Sequence, residues 1–198
     1  MTEDEWLDRN DPYPRQLAVV QDFASVRKMR LMASVLTRIG QAQPQHDEAK
    51  RCDDLIEALA DARRTWEEIA VELESRPGNW RFTQILFPPD DRRSVAMALR
   101  KLVAMYPIAP KPFIIDLMHE VIGNPFWPVV FSSKWRTSTA VAIAQGMYES
   151  RDFGAMPILA DALQDAGCDS DDVLDHCRDP ERVHVRGCWV VDLVLGKE

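Results

Sequence analysis

The residues with the greatest chemical reactivity lie close together near the end of the sequence. Cys168, His176, Cys177, His184 and Cys188 fall within 21 residues. Thiolate sulfur and imidazole nitrogen are donors that zinc prefers in tetrahedral sites. The group therefore raises the hypothesis of a structural zinc site, with Cys168, Cys177, His184 and Cys188 as the candidate ligands.

The spacing of these residues does not follow a zinc motif. The sequence contains no Cys-x-x-Cys or His-x-x-x-His pair here, and neighbours such as His176 and Cys177 point about 100° apart on a helix. A zinc site would need its donors to converge through tertiary packing. The alternative is that Cys168 and Cys188 are small buried residues. His176 and His184 would then hydrogen-bond to backbone or carboxylate groups.

The same residues could instead form a thiol enzyme. Cys177 or Cys188 would be the nucleophile. His184 would activate the thiol, and Asp192 would orient the imidazole. A reactive thiolate needs a cationic or helix N-terminal environment, which Arg186 could help to supply to Cys188. A cysteine directly before an apolar Trp-Val-Val segment is more typical of packing. The sequence therefore leans against an enzyme and leaves the question open.

A loop rich in aromatic and proline residues starts at Gly123. Two prolines bracket Phe126 and Trp127, which restricts the backbone and lets the rings be presented with little loss of entropy. This aromatic loop, residues 123–131, could bind a protein partner or plug the C-terminal core, and both interpretations stay open. The residues predicted to form a contact surface are Asn124, Phe126, Trp127, Arg178 and Arg186.

Charge is distributed unevenly along the chain. Seven aspartates lie between residues 161 and 179, whereas a predicted helix over residues 25–39 carries four basic residues and no acidic one. The aspartates lack the glycine and the terminal glutamate of a calcium-binding loop. They are therefore expected to cap helices and to form a solvated Asp-rich surface.

Helices must position all of these residues, because every long periodic segment has helical spacing and no alternating runs are joined by a hairpin turn. We predict an all-α protein, an irregular multi-helix bundle with an N-terminal helical pair and a C-terminal helical lobe. Residues 1–198 are expected to form a single domain with sub-lobes 1–78 and 79–198, separated near Pro77-Gly78. The apolar segment 188–195 is predicted to be a buried helix, with a strand as the alternative.

The longest predicted helix runs from Asp47 to Pro77. Apolar residues between positions 52 and 73 alternate steps of three and four, which is the a/d spacing of a coiled coil. A helical hairpin with the preceding helix explains this seam within one chain. Self-association through the 52–73 seam is the alternative.

Composition excludes several classes of function. The 198 residues carry a net charge of −8, which argues against a protein whose main task is to bind nucleic acid. No run of about 18 apolar residues occurs, so no membrane span is expected. The N-terminus is acidic and resembles no export signal. We therefore expect a cytoplasmic protein whose four cysteines remain reduced thiols.

Both ends of the chain resemble a large paralogous family of uncharacterised bacterial proteins. The N-terminal block comprises Thr2–Leu7 and Arg27–Leu31. The C-terminal block comprises Gly123–Phe126, Pro128, Met156–Leu163, Asp165–Cys168, His176–Arg178 and His184–Asp192. This resemblance implies kinship and transfers no activity, because the family has no established function. The leading hypothesis is a cytoplasmic protein-interaction or scaffold module that uses the aromatic loop and the Asp-rich lobe.

Overall fold

The computed structural model describes residues 1–8, 13–40, 46–74, 91–105 and 111–197. Within these ranges every regular element is a helix and no strand is present, so the prediction of an all-α multi-helix protein is confirmed. The chain divides into two compact units, Met1–Met118 and His119–Glu198. The sub-lobe boundary predicted near Pro77-Gly78 lies outside the described residues.

The first unit contains six described helices, and a seventh spans the boundary between the units. They are α1 (Glu3–Leu7), α2 (Tyr13–Phe23), α3 (Val26–Gly40), α4 (His46–Ala60), α5 (Trp66–Glu74), α6 (Arg92–Met105) and α7 (Lys111–Ile122). The second unit continues with a 3₁₀ turn (Ser133–Trp135), α8 (Ser138–Ser150), α9 (Met156–Asp165), α10 (Asp171–Arg178) and α11 (Trp189–Leu195). The helix predicted over 188–195 is therefore confirmed as α11.

Helix α3 is the centre of the first unit. Its apolar residues recur at three- and four-residue steps, which places them on one stripe of the helix. Met29, Met32 and Leu36 are buried there, and α3 packs against both α4 and α6. Helix α3 therefore pairs with α4 and also packs on α6.

Two of the basic residues of α3 pair with acids of the same unit. Nε of Arg27 lies 3.1 Å from the carboxylate of Asp61. The guanidinium of Arg38 lies 3.1 Å from Asp53 and 3.1 Å from Glu57, both on α4. The asymmetry of charge that the sequence shows at residues 25–39 therefore contributes to helix pairing within the first unit.

The prediction of one helix from Asp47 to Pro77 is wrong, because the chain leaves the helical path between α4 and α5. Ala62 has a left-handed φ of +52°, and the N–H of Arg63 donates to the carbonyl of Ala58 across the break. A new helix then starts with a reciprocal cap. The N–H of Glu68 donates to the Thr65 hydroxyl, and the Thr65 N–H donates to the Glu68 carboxylate. This capping box fixes the start of α5 at Trp66.

The apolar seam of residues 52–73 is buried only in part, and the helix that carries it is interrupted. Its members with low exposure are Leu55, Leu59, Ile69 and Leu73. The α3–α4 packing supports the hairpin explanation for the part of the seam on α4. Self-association through this segment stays a prediction.

The second unit has its own core. Helix α9 packs against α8 and α10, and α11 packs against α8 and α10. The buried side chains include Trp135, Met147, Tyr148, Leu159, Leu163, Val173, Val190 and Val191. This core holds α10 and α11 side by side. His176 and Cys177 lie on α10, and His184 and Cys188 lie in the segment between α10 and α11. Among the described helices, none has both the length and the apolar character that crossing a bilayer requires.

Candidate metal centre

Four potential metal ligands converge inside the second unit. They are Glu120 from the end of α7, His176 from α10, His184 from the segment after α10, and Cys188, which is the N-cap residue of α11. One ligand atom from each of the four residues lies within 4.8 Å of all the others. We call these residues the donor cluster.

The amphipathic character of α10 places His176 inside the unit. Val173, Leu174, His176 and Cys177 are buried, whereas Asp171, Asp172 and Asp175 are exposed. His176 follows Val173 by three positions, so both lie on the same stripe of the helix. The sequence of α10 thus turns its aspartates to solvent and its imidazole to the core.

A tight turn places Cys188 at the start of α11. The N–H of Cys188 donates to the carbonyl of Val185 at 2.9 Å, and Gly187 between them has a φ of +98°. A side chain at Gly187 would be strained at this angle. Because the turn reverses the chain directly after His184, it brings His184 and Cys188 to the same place.

The Glu120 carboxylate lies between the two imidazoles. Oε1 lies 3.1 Å from Nδ1 of His184 and accepts a longer hydrogen bond, at 3.4 Å, from the N–H of Val185. Oε2 lies 3.3 Å from Nε2 of His176. The same Nε2 atom lies 3.2 Å from the sulfur of Cys188. The cluster therefore joins α7, α10 and the N-terminus of α11 through polar contacts.

The indole of Trp189 determines the tautomer of His176. Its Nε1–H donates to Nδ1 of His176 at 3.0 Å. An indole N–H can only donate, so Nδ1 must be the unprotonated acceptor. Neutral His176 then carries its proton on Nε2, the nitrogen that faces Glu120 and Cys188.

Burial changes the pKa values of three members of the cluster. Glu120 is 1% exposed, and burial raises the pKa of its carboxyl even though the contact with His184 opposes this. Burial lowers the pKa of His176 well below its usual value. Burial also raises the pKa of Cys188 well above its usual value, and the Glu120 charge adds to this. Each direction reflects the cost of placing a charge in a desolvated site.

The donor cluster fits a divalent transition metal. Two imidazoles, a thiol and a carboxyl are donors that zinc accepts. Neighbouring ligands of a tetrahedral zinc ion at the usual bond lengths are separated by about 3.3 to 3.6 Å. The four ligand atoms of the cluster lie within 4.8 Å of one another, so small shifts of the side chains would bring them to one ion. Oε2 of Glu120 is also buried, and no well-aligned hydrogen bond from the described residues reaches it. Its contact with Nε2 of His176 at 3.3 Å is poorly aligned, and a cation would satisfy this buried oxygen better.

The membership of the cluster differs from the predicted zinc ligands. His184 and Cys188 belong to it, as predicted. Cys168 and Cys177 do not, and Glu120 and His176 take their places. Cys177 follows His176 directly on α10, so the helical rotation between neighbours turns its thiol away when the imidazole faces the cluster. Packing surrounds Cys177 instead, and both it and Cys168 are buried.

The residues predicted for thiol catalysis are enclosed. Cys177 and Cys188 are buried, and Asp192 on α11 is buried as well. Burial raises the pKa of Cys177 to about 12. Both cysteines are therefore held as protonated thiols, whereas nucleophilic catalysis requires a thiolate. Enzymatic activity at these residues stays a prediction.

The aromatic loop exposes some of its residues to solvent. Trp127 is 69% exposed and Val130 is 90% exposed. Asn124 stabilises the start of the loop, because its side-chain oxygen accepts the N–H of Phe126 at 3.0 Å. Such an Asx turn holds the backbone locally. The loop thus presents Trp127 outward while Phe126 is partly buried.

The two arginines of the predicted contact surface have different surroundings. Arg178 on α10 is exposed and contacts Asp161 of α9 at 3.0 Å. The guanidinium of Arg186 lies 4.3 Å from the ring centre of Tyr148, as in a cation–π contact. Arg178 therefore belongs to the Asp-rich surface, and Arg186 packs on the core of the unit.

Sequence reasoning missed Glu120 as a member of the site. It lies 64 residues before His184, in a helix whose pattern only indicates an apolar face. The expectation that His176 and His184 contact carboxylates agrees with the structure. The identity of that carboxylate could come only from the tertiary structure of the second unit, which includes Glu120.

Comparisons with known proteins give no relatives for this chain: no family model, no curated protein and no solved structure matches it. The site must therefore be interpreted from its own geometry.

Proposed function

We propose that the second unit is a zinc-binding unit in which the donor cluster holds one structural ion. The observation that carries this proposal is the convergence of four ligand atoms within 4.8 Å in a buried position. Four protein donors close a tetrahedral shell and leave no open position for a substrate, as is typical of structural rather than catalytic zinc.

The electrostatics of the cluster support this proposal. A bound dication would offset the charges of the Glu120 carboxylate and the Cys188 thiolate in a site that water does not reach. It would also provide a well-aligned partner for Oε2 of Glu120, which lies 3.3 Å from Nε2 of His176 without a well-aligned hydrogen bond. Poor hydrogen bonding of a buried carboxylate oxygen raises the free energy of the folded state.

The position of the ligands supports a structural role. They lie on α7, on α10, in the segment after α10 and at the start of α11. Because an unfolded chain does not hold such a site, the free energy of metal binding adds to the free energy of folding. We therefore expect the second unit to lose stability when the metal is removed.

Elemental analysis and cobalt substitution of the full chain test the proposal. The purified protein should retain about one zinc ion per chain, and its cobalt form should show the charge-transfer absorption of a Co²⁺–thiolate bond. Cys188→Ser should abolish this absorption. Cys168→Ser and Cys177→Ser are matched controls, because both remove a buried thiol of the same unit from outside the donor cluster. Absence of bound metal, or equal loss of the absorption in the control variants, would contradict the zinc site.

A second candidate function is a protein-interaction module, supported by the exposure of Trp127 and Val130. Large apolar side chains exposed in one restrained loop are typical of contact surfaces. The aspartates of the Asp-rich surface add negative charge, so the partner we propose is a protein with a basic face. The exposed members are Asp161, Asp165, Asp169, Asp171, Asp172 and Asp175.

Affinity purification with paired variants tests this second candidate. A partner retained by the wild type should be lost with the double variant Trp127→Ala/Val130→Ser. It should be retained with Ile158→Ser, which changes an exposed apolar residue on α9. The complex should also dissociate at about 1 M salt, where charges are screened within about 3 Å. Identical partners with all three proteins would contradict a role for the loop.

We also propose that the protein works in the cytoplasm. All four cysteines are unpaired thiols, which is the usual state in a reducing compartment. Cell fractionation followed by thiol quantification tests this. Recovery of the protein outside the cytoplasm, or with disulfides formed before lysis, would contradict it.

A further inference from the structure

The proton on His176 occupies the position that a metal ion would need. The Trp189 indole donates to Nδ1, which leaves the proton of neutral His176 on Nε2. Nε2 is the nitrogen that faces Glu120 and Cys188 at 3.3 and 3.2 Å. As long as the indole bond exists, this nitrogen has no free lone pair for a metal.

Metal binding at Nε2 therefore requires a change of tautomer. The Nε2 proton must leave, and the neutral ring must carry its proton on Nδ1 instead. Two N–H groups, one of Trp189 and one of His176, would then face each other across 3.0 Å, and neither could accept. A histidine that binds a metal normally donates its second N–H to an oxygen acceptor. The contact between the indole N–H and Nδ1 must therefore break, and movement of the indole would break it.

The indole of Trp189 also packs on Gly123, the first residue of the aromatic loop. A Cβ atom placed on Gly123 would lie only 3.1 Å from two atoms of the Trp189 ring, so the ring lies directly against the Gly123 backbone. Gly123 itself has a φ of +74° and ends α7. A displacement of the ring changes the packing at the residue from which the loop starts.

We infer that metal binding at the donor cluster and the Trp189–His176 hydrogen bond exclude each other, and that the resulting movement of Trp189 couples metal occupancy to the aromatic loop. This inference rests on the proposed zinc site. It makes Trp189 a positioning residue: in the metal-free state its indole holds His176 in the tautomer that cannot ligate. The presentation of Trp127 then depends on whether the metal is bound.

Zinc affinity in paired tryptophan variants tests the exclusion. Trp189→Phe removes the competing indole N–H. Zinc should then bind roughly two- to tenfold more tightly than it binds the wild type, because this factor corresponds to the net free energy of a typical hydrogen bond. Trp135→Phe is the matched control. Trp135 is buried in the same unit and its indole donates to the carbonyl of Gly167 at 3.1 Å, away from the donor cluster, so zinc affinity should not change. Competition against a chromophoric chelator measures both values.

Indole resonances of the ¹⁵N-labelled full chain test the movement without a substitution at the site. The chain contains six tryptophans, and the resonance absent from Trp189→Phe assigns Trp189, as Trp127→Phe assigns Trp127. One equivalent of zinc should shift the resonances of both. The Trp135 resonance should stay in place.

The outcomes separate the inference from the proposed zinc site. If zinc binds but leaves the Trp189 resonance unchanged, or if Trp189→Phe binds zinc with equal or weaker affinity, the exclusion is overturned and the zinc site stands. If zinc binds and Trp189 shifts while Trp127 does not, the coupling to the loop is overturned. If the wild type binds no zinc, the zinc site and the inference both fail.

Discussion

Nδ1 of His184 lies 3.1 Å from Oε1 of Glu120, although 64 residues separate them in the chain. His176, His184 and Cys188 all come from the C-terminal segment, so this contact is what adds a residue of α7 to the donor cluster. The buried Glu120 carboxylate thus contacts the imidazoles of both His176 and His184.

Removal of the Glu120 charge should destabilise the second unit. Glu120→Gln keeps the shape of the side chain but loses the charge-assisted contacts with His184 and His176. We expect a loss of about 1–3 kcal/mol in the free energy of unfolding, measured by urea denaturation with a chelator present. Glu149→Gln is the control, because Glu149 is exposed on α8. Equal stability of Glu120→Gln and wild type would show that the buried contacts contribute nothing.

Gly123 should not tolerate a side chain. Its φ of +74° is unfavourable for alanine, which costs about 1–2 kcal/mol, and the added Cβ would lie 3.1 Å from the Trp189 ring. We expect Gly123→Ala to lower the free energy of unfolding by at least that amount. Gly146→Ala should instead raise the free energy of unfolding. No atom lies within 4 Å of the added Cβ, and alanine is favoured over glycine within a helix by about 0.5–1 kcal/mol. Similar effects of the two substitutions would contradict this account of Gly123.

The capping box at the start of α5 should contribute measurably to the first unit. Thr65→Ala removes the hydroxyl that accepts the Glu68 N–H at 3.3 Å. We expect a loss of about 0.5–2 kcal/mol, measured by thermal or urea denaturation. Thr139→Ala, at an exposed helical position of α8, should change stability far less. If Thr65→Ala were as stable as the wild type, the break between α4 and α5 would need another cause.

The ion pairs of Glu72 should make one part of the stability depend on pH. Its carboxylate accepts hydrogen bonds from Arg64 at 2.6 Å and from Arg51 at 2.8 Å, and these contacts lower its pKa. A carboxyl whose pKa is lower in the folded state stabilises the fold above its unfolded pKa, about 4.3. This stabilisation is lost as the pH falls through the lower, folded pKa.

Glu72→Gln should therefore be less stable than the wild type at neutral pH, by about 0.2–1 kcal/mol, and the difference should vanish in acid. Urea denaturation at both pH values measures it. Glu67→Gln, at an exposed position of the same helix, is the control for a change of charge. A difference that persists unchanged in acid would assign the effect to packing instead of ionisation.

Several features of the fold were predictable because their physical cause is local. The apolar stripe of α3 repeats with the helical period, and the segment 188–195 was predicted to be a buried helix, which α11 confirms. The break before α5 also has a local signal, since Thr65-x-x-Glu68 is a capping-box pattern. The regular a/d spacing on both sides of it led to the wrong prediction of one continuous helix.

The donor cluster was predictable only in part. The density of cysteine and histidine between residues 168 and 188 pointed to the correct segment, and His184 and Cys188 are members. Which of the neighbours His176 and Cys177 faces the cluster depends on the rotation of α10, and packing of Val173 and Leu174 determines that rotation. Kinship with the bacterial family that the terminal blocks resemble stays a prediction.

The sequence by itself determined an acidic all-α protein with its reactive residues near the C-terminus, because helical periodicity, capping residues and charge are properties of neighbouring positions. Only the tertiary structure decided that Glu120 joins His176, His184 and Cys188, and that Trp189 fixes the proton of His176. These relationships depend on distances between segments far apart in the chain. Burial of the apolar core sets those distances, and no spacing in the sequence encodes them directly.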